Sequence, residues 1–162
     1  MILVADASAL IALATCDSLM LLEGIFGNVF VPDAVYAEVT ELDKPQSTRL
    51  RSYLQGKVRE VDMKNFVYLD AFADVGETQA MLLYKELDAD YLLIDDQRGR
   101  KVAKINNIKT IGSMGVLLQA KRVGLIPCVA PLLEKIAASP VFMSESLIGI
   151  VLELANELPN PD

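Results

Sequence analysis

Histidine is absent from the 162 residues, and cysteine occurs only twice. The first absence excludes Ser-His-Asp and Cys-His nucleophile systems, the usual His-bearing zinc sites and the commonest general base near neutral pH. Cys16 and Cys128 are far apart and share no metal-type spacing, so both read as small core residues rather than ligands or a bridge. No apolar run approaches the roughly 18 residues that span a bilayer. The opening MILVADAS has no basic region ahead of its apolar run and reads as core strand, not as a signal peptide. A cytoplasmic protein with no membrane partner is expected. Positive charge is also scarce: 15 Lys and Arg against 22 Asp and Glu leave a net charge of −7. That balance does not suit a protein that coats DNA by neutralising phosphates. It still allows a nuclease whose acids are neutralised by bound cations.

The chain does have hydrophobic content, 52% of residues against 23% charged, as expected of one globular domain with a sizeable core. Two short apolar runs stop at carboxylates: Ile2-Leu3-Val4-Ala5 at Asp6, and Tyr91-Leu92-Leu93-Ile94 at Asp95-Asp96. Each reads as a buried strand, and strand ends of an open parallel sheet form the crevice where ligands bind. Helical stretches are expected at Ala7 to Ala14 and Leu19 to Gly24. After the strand Asn28 to Val31, a further helix starts with Pro32 as its first residue and carries Val35, Val39 and Leu42 on one face. A polar helix over Ser47 to Gln55 and an edge strand at Val58 to Val61 follow. Asp74 opens an amphipathic helix that buries Ala80, Met81, Tyr84 and Leu87. Beyond the second acid-terminated strand come a helix over Gln97 to Asn106, a strand Ile108 to Ile111, a helix ending at Val123-Gly124, and two last helices around 129–138 and 144–157. Alternating strands and helices predict a three-layer α/β/α domain with a mostly parallel sheet of four to five short strands. A single domain over 1–158 is expected, its last helices (about 129–157) packed as a C-terminal extension and 159–162 frayed.

Four acidic positions carry the chemistry, and each has a bland alternative. Asp6 ligates a cation or, with Ser8 nearby, caps the next helix. Glu38 between Val35 and Val39 reads, taken alone, as an exposed helical Glu. Glu77 stands three residues after Asp74, a capping-box spacing. The Asp95-Asp96 doublet needs a cation between its members or a salt bridge to Arg98 or Arg100. Oxygen donors without histidine point to Mg2+ or Mn2+. Two such ions, if bound, could activate a water and stabilise the leaving oxygen of a phosphodiester.

The ordered blocks Val4-Ala5-Asp6-Ala7-Ser8, Val31-Pro32-Asp33-Ala34-Val35 to Glu38-Val39, Gly76-Glu77-Thr78-Gln79-Ala80 and Leu93-Ile94-Asp95-Asp96 to Arg100 resemble the PIN domain. More narrowly, they are similar to a PIN-like subfamily described as predicted nucleic-acid-binding proteins. The resemblance runs from Met1 to about Ile126 and more loosely into the final helix. It implies a Mg2+- or Mn2+-dependent endoribonuclease with Asp6, Glu38, Glu77 and Asp96 as catalytic and metal-binding acids. Asp95 joins the metal set beside Asp96, at the position of an Asn in the family's pattern, and Glu77 stands where many members carry Asp. RNA is then the substrate and a homodimer is expected. For members that are toxins of toxin–antitoxin pairs, an antitoxin protein is the partner. A PIN-fold module that binds RNA or a protein without cleaving is the alternative function.

Ser8, Arg98, Arg100, Lys101 and Lys104 are the candidate substrate-binding residues, the basic four forming a helical stripe beside the doublet. Lys121-Arg122 and Arg49/Arg51 extend the track. No aromatic residue interleaves with these groups in sequence, so base stacking is not expected. Leu147, Ile148, Val151, Leu154 and Ala155 in the last helix form an apolar stripe that reads as core. A receiver domain is rejected because the acid doublet comes too late in the chain. A haloacid-dehalogenase-type phosphatase is rejected because Ser8 stands where a second Asp is needed.

Overall fold

A computed structural model of the chain describes residues 1–62, 64 and 74–158. The tail at 159–162 lies outside them. Five parallel strands form one sheet: β1 (Ile2–Ala5), β2 (Asn28–Pro32), β3 (Val58–Arg59), β4 (Tyr91–Leu93) and β5 (Thr110–Ile111), in the order β3-β2-β1-β4-β5. Register pairs Leu3 with Val29 on one side and with Tyr91 on the other. Strand order reverses between β1 and β4, so their carboxyl ends flank the switch point where such sheets bind ligands.

Side-chain alternation explains the layers. Leu3, Ala5 and Leu93 face one way, into a core built with α1 (Ala7–Thr15), α2 (Met20–Phe26), α3 (Asp33–Val39), α4 (Ser47–Tyr53) and α7 (Ser113–Arg122). Val4, Leu92 and Ile94 face the other way, against α5 (Val75–Glu86) and α6 (Gln97–Ile105). Helices therefore cover both faces, and the three-layer α/β/α expectation is met. The last helices, α8 (Ala130–Ala137) and α9 (Glu145–Leu154), add Leu133, Ile136 and Val151 to the first core. No single helix among the described residues is long and apolar enough to cross a membrane.

Several local expectations shift. Pro32 ends β2 and takes the cap position of α3 instead of its first turn. Leu42 is not on the buried face: α3 stops at Val39, and Leu42 lies 81% exposed beyond it. The Thr40 hydroxyl closes that end by donating to the Tyr36 carbonyl (2.7 Å). Cys16 is fully buried, whereas Cys128 is only half-buried. The α9 stripe divides: Val151 and Ala155 are buried, while Leu147 and Leu154 face outward, because only one side of the helix meets the domain.

Candidate active site

Asp6 sits where β1 turns into α1, its backbone N–H bonded to the Leu93 carbonyl (2.8 Å), which joins the ends of β1 and β4. The carboxylate does not make the helix cap that the sequence allowed. It is 4% exposed, and its pKa is pushed up to about 7. Desolvation is the main cause. The Ala7 N–H works against it, and repulsion from Glu77, Asp74 and Glu38 adds to it.

Those three acids arrive on two helices. Glu77 and Asp74 form a reciprocal capping box at the start of α5: the Glu77 N–H donates to Asp74 Oδ1 (2.7 Å) and the Asp74 N–H to Glu77 Oε2 (3.3 Å). The cap reading of this pair is therefore realised, and the same bonds aim both carboxylates at the strand ends. Burial raises the Glu77 pKa, as does repulsion from Asp74, Asp96 and Glu38, while the Asp74 backbone N–H lowers it. Glu38 is half-buried on α3, with its pKa raised by burial and by Asp74 and Glu41; Lys44 pulls the other way.

Two glycines border this cluster, the first at ordinary contact distance and the second far closer. A Cβ on Gly76 would lie 3.5 Å from Glu38 Oε2 and 3.4 Å from Asp74 Oδ1. A Cβ on Gly99 would lie 2.5 Å from Ile94 Cδ1 and 3.1 Å from Glu77 Oε1, so α6 reaches the acids only because that position is bare.

The aspartate doublet is split by its partners. Asp95 turns toward the start of α7, accepting from the Ser113 N–H (2.7 Å) and hydroxyl (2.6 Å). Asp96 caps α6 through the Gly99 N–H (2.7 Å), and its charge acts on Glu77. Neither member needs the other or a shared cation to be satisfied.

Ser8 is exposed in the first turn of α1, two residues after Asp6. Arg98, Arg100, Lys101 and Lys104 are exposed along α6, and Arg100 Nε donates to the Ile94 carbonyl (2.9 Å). Of the proposed extensions of this track, Arg122 is exposed at the end of α7, away from α6 in the chain, and the other three are tied up elsewhere. Arg49 pairs with Asp17 and the Ala14 carbonyl, Arg51 bonds the Thr40 carbonyl, and Lys121 bonds Glu157.

Three residues escaped the sequence reading as parts of this site. Asp74 was assigned only to a cap, and its place three residues before Glu77 was the available signal. Lys44 lies in a loop and lowers the Glu38 pKa against the neighbouring acids. Gln79 Oε1 accepts from the Ala34 N–H (3.0 Å), fixing the start of the helix that carries Glu38; nothing in its local sequence marks it.

Among the described residues, no three Asp, Glu, Cys or His side chains stand close enough to ligate one ion as they are placed. The chemistry of the set nonetheless fits a hard dication. All five acids offer oxygen alone, and among the described residues the charged groups acting on the buried Asp6 are all acids.

A parallel α/β/α domain with acids gathered at the β1/β4 switch point is thus the class that fold and site define. A PIN-domain family model, DUF3368, matches residues 2–157, and the chain belongs to that family. No curated protein matches it.

Proposed function

We propose that the protein is a metal-dependent ribonuclease that uses Mg2+ or Mn2+ held by carboxylates. The observation that carries this reading is the gathering of Asp6, Glu38 and Glu77, each with its pKa raised chiefly by burial and further by repulsion from neighbouring acids, Asp74 in every case. Keeping so many acids together around a buried, unpaired Asp6 is unfavourable without a cation. Asp6, Glu77 and Asp96 would hold the ion, with Glu38 and Asp74 at its rim and Asp95 serving to anchor α7. When bound, the ion would lower the pKa of a water and offset charge on the phosphodiester. The protein's own share is positional. The capping box fixes Asp74 and Glu77, the Gly99 N–H fixes Asp96, and Gln79 orients the start of α3 behind Glu38. Arg98, Arg100, Lys101 and Lys104 would draw the phosphate backbone along α6, and Ser8 would meet it at the Asp6 end.

A second reading, an RNA-binding PIN module without activity, is favoured by the separation of the acids noted above. The two part in an assay of unstructured RNA with Mn2+ or Mg2+ and with chelator, comparing wild type with Asp6→Asn and Asp96→Asn. Dication-dependent cleavage lost in both variants supports the enzyme. Cleavage unaffected by either substitution sinks the site, and RNA binding without cleavage by any form supports the module.

A further inference from the structure

Beside the acids, a cavity of about 440 Å3 opens between the end of β4, the start of α7 and the loop joining α8 to α9. Its polar end holds Asp95, Gln97 and Arg100, and its walls include Met114, Phe142 and Met143. The size falls within the roughly 300–1,000 Å3 usual for small-molecule sites. Phe142 is 91% exposed, an unfavourable place for an aromatic ring. Its loop is held in shape: the Ser139 hydroxyl donates to the Ile136 carbonyl (2.6 Å) and accepts from the Val141 N–H (3.1 Å). The guanidinium opposite is held too, by the Ile94 carbonyl (2.9 Å), and it passes so close to Gly112 that any side chain there would collide with it.

We propose that this cavity is a nucleobase subsite, in which Phe142 stacks on a base of the RNA next to the phosphate at the acid cluster. The inference rests on the nuclease reading for its choice of RNA. Three observations select a base over other occupants. Asp95 lines the cavity and the next residue, Asp96, acts on Glu77, so a single residue step separates the cavity from the acid cluster. A phenyl ring, a guanidinium and an amide in one lining match a flat ring with a polar edge. Met114 and Met143 supply polarizable, adaptable walls suited to a planar ligand. Asp95 has both oxygens on Ser113 and acts as a fixed wall, so Gln97 and Arg100 are the groups that meet the base edge. The sequence hid this arrangement, because Phe142 stands 42 residues from Arg100, with which it lines the cavity.

The test titrates each of the four nucleoside 5′-monophosphates into the full chain under chelator, followed by NMR, for wild type, Phe142→Ala and Phe142→Trp. Phe142 makes no buried contacts, so neither variant threatens the fold. At least one monophosphate is expected to bind saturably, on the order of tenfold more weakly to Phe142→Ala, with affinity retained in Phe142→Trp. Equal binding to all three proteins, or no binding of any monophosphate to wild type, overturns the subsite. So does concentration-dependent self-association that Phe142→Ala abolishes in place of nucleotide binding, since a second copy would then be the occupant. Because chelator removes the dication, Phe142-dependent binding with no RNA cleavage upholds the subsite and sinks the nuclease. Cleavage without Phe142-dependent binding does the reverse.

Discussion

Asp6 concentrates the tension of the site. Its pKa near 7 lies above the ordinary aspartate value, so between about pH 4 and 7 the folded state holds a proton that the unfolded state has released. Stability from this group is complete below the unfolded value and is lost as pH rises through the folded one. The loss approaches roughly 4 kcal/mol when no cation is present. Asp6→Asn is therefore expected to melt several degrees above wild type at pH 8 in chelator and to match it near pH 4. Added Mn2+ should raise the wild-type melting temperature more at pH 8 than at pH 5, and leave the variant nearly unmoved. A wild-type melting point that is flat from pH 4 to 8 in chelator would contradict the raised pKa. At the same scale, Gly99→Ala sets two effects against each other. Helix propensity favours Ala by at most about 1 kcal/mol, whereas overpacking against Ile94 and Glu77 costs about 1–3 kcal/mol. A net loss of about 1–2 kcal/mol is expected in denaturant titration. Gly149→Ala, on α9 with nothing near its added methyl, should instead gain about 0.5–1 kcal/mol.

Elements are held to one another by a few polar clasps, and the C-terminal one is the most sensitive to acid. Glu157 lies beyond α9 and accepts from the N–H groups of Val129 and Ala130 at the start of α8 and from Lys121 of α7 (2.7–2.8 Å). Burial acts to raise its pKa, but these bonds outweigh it and the value falls below the ordinary one. A depressed pKa stabilises above the unfolded value near 4.5, and the contribution is lost as pH falls through the folded one. Glu157→Gln should remove part of the acid-side decline in melting temperature below about pH 4.5; an unchanged decline would show that the clasp carries none of it. The elements also show what was legible beforehand. Short branched runs fixed β1 and β4, and the Asp74 cap fixed the start of α5, because those signals are local. Leu42, Leu147 and Leu154 were misplaced, since periodicity says which residues share a face but not where the neighbouring helix ends. The site followed the same division. Its candidate acids stand near element ends and could be proposed from the sequence, whereas Lys44, Gln79 and, in the proposed subsite, Phe142 come near them only through tertiary packing.

At the scale of the molecule, an acidic body of charge −7 carries the exposed cations proposed to meet substrate on one helix, α6. Arg98, Arg100, Lys101 and Lys104 can neutralise at most four phosphates. The slope of log K against log salt for single-stranded RNA should then be no steeper than about −3. A filter-binding series in the presence of dication measures it, and a markedly steeper slope would mean that a larger basic surface is engaged.

The bond between the Asp6 N–H and the Leu93 carbonyl also dictates a timetable. β1 has no partner on its β4 side until nearly ninety further residues have been made, and closing a loop of that length is entropically slow. At a synthesis rate of roughly 5–20 residues per second, the first strand waits on the order of 5–20 s for the fourth. The acids at 6 and 96 can therefore meet only late in translation, so whatever chemistry they perform is withheld from the nascent chain until most of it has been built.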